Sequence, residues 1–164
     1  MALKADRHEV VTDISFFMTE TAERGIIVVH STGGSGAAMD DSSALVTIPT
    51  TASGTHPAGM LLNDVVNLDL TRQHLNQHQD EVQMGGKVTL LKQGWVVTNK
   101  LDNDPTVGAP AYVASSGLLS TSVGLVEYTE DDTGYAVNYE ALRVGRFLST
   151  EDADGYAKVY IDIA

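Results

Sequence analysis

The chain has no cysteine among its 164 residues, so neither a disulfide framework nor a thiolate metal site or nucleophile is available to it. Stability must come from packing or assembly. Positive charge is scarce as well: 10 Lys and Arg stand against 22 Asp and Glu, a formal charge of −12. Binding to a phosphate backbone or an anionic membrane draws its affinity from Lys and Arg, so both partners are disfavoured. Long apolar runs are missing too. The uncharged stretch from Pro105 to Val126 is interrupted by Gly, Ser, Thr and Pro and reads as strands and turns rather than a membrane span. Near the N-terminus, Asp6, Glu9 and Asp13 break what a secretory signal needs as an apolar core. Synthesis is expected in a cytoplasm. No complete catalytic motif occurs, and no cofactor is implied.

What is present is a globular composition, 43% apolar and 20% charged, in a length that suits one well-buried domain. The pattern is β. In Tyr156–Ile163, residues Ala157, Val159, Ile161 and Ile163 share one face while Tyr156, Lys158, Tyr160 and Asp162 share the other, the period of a half-buried strand. Further strands are predicted around Gly25–His30, Ala44–Pro49, Ala109–Ala114, Leu118–Ser120, Val123–Tyr128 and Leu142–Leu148, while Met60–Leu70 fits a bulged strand about as well as one helical face, with strand preferred because Asn63, Asp64 and Asn67 disfavour a helix. A hairpin is predicted from Lys87–Leu91 and Trp95–Asn99, with Gln93–Gly94 as its break. Ser31–Ser43, Thr50–Pro57, Asp102–Pro105, Glu130–Gly134 and Asp152–Gly155 have the composition of loops and turns. Many short strands at near-regular spacing predict a mainly β fold, a small barrel or sandwich. Residues 1–24 show neither helical stripe nor sustained alternation and are expected to form an extended arm. The β domain would then cover 25–164, with a polar insertion around 71–84.

Several constellations invite a chemical reading and each has a plainer one. His74 and His78 would share a helical face, with Asp80 or Glu81 as a third zinc ligand, but Leu75, Asn76 and Gln77 supply no general base. Two solvated histidines on a polar segment explain them. Asp102 and Asp104, like Asp152, Asp154 and Gly155, resemble the start of a calcium loop without its distal Glu, and turns select the same residues. Gly33–Ala37 falls short of a nucleophile elbow, and His30 with Asp40 or Asp41 completes a triad only on paper. No metal or catalytic site is assigned. Trp95, Tyr112 and Phe147 are expected in the core, whereas Tyr156 and Tyr160 lie on the polar face of the last strand and suit self-association.

The runs Val107–Val113, Ser116–Thr121, Val144–Leu148 and Asp152–Gly155 before the last strand resemble the head decoration, or cement, proteins of tailed bacteriophages. The resemblance covers roughly the C-terminal half. It implies a small, largely β, non-enzymatic virion protein on the outer capsid surface, with the major capsid protein as partner and a homotrimer favoured. It also implies a terminal arm that reaches the shell, for which Lys4, Arg7, Val10, Val11, Ile14, Phe16, Phe17 and Met18 are the candidate residues. Two other classes compete: a tail or fibre β-module, with Trp95 beside Asn99 as a glycan contact, and a metal-dependent hydrolase using His74 and His78.

Overall fold

The structure, a computed structural model, describes residues 2–31, 44–51, 54–64, 68–69, 74–75, 81–123 and 142–163. Among them the chain is mainly β. The strands are β1 (His8–Met18), β2 (Ala22–Glu23), β3 (Ile27–His30), β4 (Leu45–Thr47), β5 (Pro57–Asp64), β6 (Leu68–Asp69) and β7 (His74–Leu75). They continue with β8 (Glu81–Val82), β9 (Lys87–Thr98), β10 (Pro110–Val113), β11 (Leu119–Ser120), β12 (Arg143–Phe147) and β13 (Ala157–Asp162). One short 3-10 turn spans Ser115–Gly117.

β9 organises the molecule. Its first half pairs with β5 on one edge, Leu91 opposite Met60 and Leu90 opposite Leu61, while β1 runs antiparallel along the other edge. β1 also pairs in parallel with β4, β4 with β3, and β3 with β5, so these five strands close into a ring. Closure covers most strand edges, but β1 meets β4 only at Phe17 and Met18, so one edge of its first half has no strand partner among the described residues. Beyond Gln93, β9 exchanges β5 for β13, and the sheet continues through β12, β10 and β11.

Two cores follow from this arrangement. Met18, Val28, Val46, Leu61, Val88 and Leu90 fill the ring. Ile27, Met60, Leu62 and Leu91, their neighbours on the same strands, point the other way and meet Val96, Val113, Leu119, Val144, Phe147, Val159 and Ile161. The shared wall is therefore buried on both faces, and its strands read as unbroken apolar runs rather than alternations. Each large side chain taken out of water there contributes about 1.5–3 kcal/mol.

The strands predicted around 25–30, 44–49, 109–114, 118–120, 142–148 and 156–163 are present, with ends shifted by a few residues. Met60–Leu70 is strand where described, at Pro57–Asp64 and Leu68–Asp69. Three expectations need correction. Lys87–Thr98 is one strand of 12 residues, not a hairpin. Gly94 does not turn the chain: it lets β1 approach, since a Cβ there would lie 2.2 Å from the His8 carbonyl oxygen, and its φ of +149° suits only glycine comfortably. Second, the described part of the expected arm, residues 2–24, does not stand apart from the domain, because β1 is a wall of the ring and Leu3 is buried in the second core. Three register shifts between β1 and β9 break the alternation that would have revealed the strand. Third, Trp95 and Tyr112 are half-buried on the outer face; of the three aromatics expected inside, only Phe147 is there. Residues 32–43 of the predicted loop, the His78 position, most of the expected 71–84 insertion and residues 124–141, with the strand and acidic turn predicted there, lie outside the described residues.

Candidate binding face

Pairing carries one row of side chains across the outer face of β1, β9, β13, β12 and β10. His8 on β1 lies opposite Trp95 on β9, Trp95 opposite Tyr160 on β13, Tyr160 opposite Arg146 on β12, and Arg146 opposite Pro110 on β10. Paired residues project to the same side, so the inward burial of Val96, Val159, Ile161 and Phe147 forces this row outward. Lys158 lies over the Trp95 ring, its Nζ 3.7 Å from the ring centroid, and His8 stacks against the same indole at 6.3 Å between centroids.

Beside Tyr160 the surface sinks into a cleft of about 550 Å³ lined by Arg143, Gly145, Arg146, Leu148, Tyr160 and Asp162. Gly145 forms its floor: a Cβ there would fall 1.9 Å from the Tyr160 carbonyl oxygen, so only glycine lets β12 and β13 close to this distance. Both arginines are exposed, and Arg143 donates from Nε to the Gly145 carbonyl oxygen at 3.0 Å. Ion pairs among the described residues join Lys4 to Asp152, Arg7 to Glu9 and Lys100 to Glu23; neither cleft arginine takes part. Among the described residues the cleft thus sets two guanidiniums against one carboxylate, Asp162, in a chain of net charge −12.

At the other end of β13 the turn around Asp152 is wired to the N-terminus. Asp152 accepts from the backbone N–H groups of Tyr156 at 2.9 Å and Asp154 at 3.0 Å, and from Lys4 Nζ at 2.9 Å. The Tyr156 N–H and then Lys4 hold its carboxyl below the usual aspartate range, and the same bond raises the Lys4 ammonium. Lys4 also lies 4.2 Å above the Tyr156 ring. The two turns that sequence alone likens to calcium loops meet here: Asp102, Asp104, Glu151 and Asp154 share a polar cleft of about 350 Å³. Glu151 is raised above its ordinary value, first by its hydrogen bond to Asp104. Among the described residues no group of three or more His, Asp or Glu is disposed to hold a metal ion.

The N-terminal candidates divide along β1. His8–Thr12 are exposed, with Val10 at 56% and Val11 at 46%, whereas Ile14, Phe16 and Phe17 are half-buried and Met18 lies inside the ring. Phe16 packs edge-on to His30 at 5.2 Å. Burial and the nearby Lys92 lower the His30 imidazole, so it stays neutral near pH 7. Met18 is thus a core residue and not a surface contact. His74 sits in a two-residue strand paired with β6, not on a helix, which removes the spacing argument linking it to His78.

The sequence pattern of the structural cement protein family (E217 gp24/Pam3 gp6) matches residues 6–162. The chain belongs to that family. Membership carries a structural role in a bacteriophage and association with its capsid, and it extends the likeness from the C-terminal half to almost the whole chain. None of the curated proteins compared with the chain matches it. No helix among the described residues is long and apolar enough to cross a membrane. Sequence reasoning missed the Arg143–Arg146 cleft, because β12 bulges at Val144, opposite Ala111 and Tyr112, and so puts these two arginines, three apart, on one face. The outward Tyr156–Lys158–Tyr160 alternation was the available signal.

Proposed function

We propose that this cement protein binds the outer surface of the assembled capsid, contacting the major capsid protein, and braces the shell against the pressure of packaged nucleic acid. The observation that carries this reading is the family match over residues 6–162. A charge of −12 supports an outward-facing position, away from packaged DNA. The role needs no catalysis. For the capsid contact we assign the exposed half of β1, centred on Val10 and Val11, with Lys4 and Arg7 before it and Ile14, Phe16 and Phe17 behind it. Met18 anchors this strand in the ring. Adjacent exposed valines on a long strand supply apolar area and backbone groups to an extended partner segment. Tyr156 and Tyr160 serve self-association, a trimer being favoured because several weak contacts made together bind a shell tightly.

The test is co-sedimentation with empty capsids of the same phage. Wild-type protein should pellet with the shells, and Val10→Asp/Val11→Asp should remain in the supernatant while folding normally. Protein that never pellets would defeat the reading. Deleting the segment is a poorer test, since it removes a wall of the ring. The glycan alternative gains nothing from the structure: Lys158 and His8 lie against the Trp95 ring that a sugar would need.

A further inference from the structure

We propose that copies of this chain associate head to tail, the Arg143–Arg146–Tyr160 cleft of one receiving the carboxylate-bearing turns of the next, at Asp104 and Glu151. This rests on the self-association proposed above and names the two surfaces that make it.

The first argument is charge. Copies of a chain at −12 repel one another at long range, and a contact that sets cations of one against anions of the other offsets that repulsion. The cleft offers two exposed guanidiniums outside the ion pairs of the described residues, against one carboxylate, Asp162. Arginine forks pair with carboxylates through parallel hydrogen bonds, and Arg and Tyr dominate the energetic centres of protein interfaces. Leu148, 41% exposed at the cleft wall, adds apolar area.

The second argument is the opposite surface. Asp104 and Glu151 line the same polar cleft, and the nearness of Asp104 raises the Glu151 carboxyl above its ordinary range. The neighbouring Lys4 is engaged with Asp152. A guanidinium from another copy would relieve this carboxyl pair.

Geometry supplies the third. The acidic turn precedes β13 at Gly155, and the basic cleft reaches Asp162 at the strand's far end, about 20 Å away at the usual rise per residue. Unlike patches displaced along one unit form a heterologous contact, which gives a ring where the rotation between copies closes and a filament where it does not.

Light scattering tests this on the full chain. Wild type should show a mass above the 17.5 kDa of one chain. Arg143→Glu/Arg146→Glu and Asp104→Arg/Glu151→Arg should each fall to a single chain, and a chain carrying all four changes should recover the wild-type mass. Should either double variant fail to fold by circular dichroism, Asp104→Asn/Glu151→Gln carries the test, with self-affinity expected to weaken about tenfold or more. An oligomeric wild type whose mass survives the charge reversals overturns the inference and leaves self-association standing. So does a folded four-change chain that stays monomeric. A monomeric wild type defeats self-association itself.

Discussion

β1 and β13 flank the same strand on opposite edges, and their sequences could hardly be less alike in legibility. β13 alternates buried and half-buried residues along its length and pairs with β9 without a register shift. β1 passes from five exposed residues through five half-buried ones to a buried Met18, and its pairing with β9 slips three times. Both are sheet strands held by backbone hydrogen bonds. The difference is that β13 keeps one face toward the core along its length, whereas β1 passes from solvent to the inside of the ring. Period-two alternation reports a constant environment, not the strand as such.

Four experiments sharpen this contrast or break it. The largest effect is expected from Phe147→Ala, which empties the core beneath β12 and β13; it should cost about 3–5 kcal/mol in chemical denaturation. Phe16→Ala on half-buried β1 should cost well under half of that, and equal losses would mean that β1 carries as much packing as the C-terminal sheet. Next come the two glycines of close approach. Gly145→Ala at the β12–β13 contact and Gly94→Ala at the β1–β9 contact should each destabilise by about 1–3 kcal/mol, since the new methyl meets a backbone carbonyl at 1.9 and 2.2 Å. If Gly94→Ala were neutral in a thermal melt, β1 would not be bound to β9 as described.

The third is Val10→Asp/Val11→Asp. Stability should change by no more than about 0.5 kcal/mol because both side chains face water. Capsid binding should be lost, separating the surface role of β1 from its role in the ring. The smallest effect is a pH response at the other edge. Asp152 is depressed in the folded chain, so its contribution is present above its ordinary value of 3.8 and disappears as pH falls through the lower folded value. Below that range the Lys4 contact should open, and hydrogen exchange at the Asp154 and Tyr156 amides should quicken before global unfolding. Unchanged protection there would show that Asp152 is not the tether.

Much of the fold was readable. Turn residues at Asp152–Gly155 and Ser115–Gly117, and β-branched runs at Ile27–His30 and Leu45–Thr47, announce their conformations through local sterics. Gly94 misled because a glycine that admits a neighbouring backbone is indistinguishable, in sequence, from one that turns the chain. Trp95 misled for a related reason: size and hydrophobicity favour burial, but register with Tyr160 and His8 sets it on the outer face. Of the candidate sites, the outward tyrosines of the last strand were visible from their alternation, while the two arginines beside Tyr160 were not.

By itself the sequence determined a mainly β, cysteine-free, acidic chain with an outward aromatic face on its last strand, and residue patterns sufficient to suggest a phage cement protein. Those properties live in composition and in neighbours two residues apart. Only the tertiary structure decided that β1 closes a ring, that one wall is buried on both faces, and that Arg143 and Arg146 meet Tyr160 while Asp104 meets Glu151. Each of these joins residues far apart in the chain, and their meeting is set by strand register, which the packing of both cores must satisfy at once.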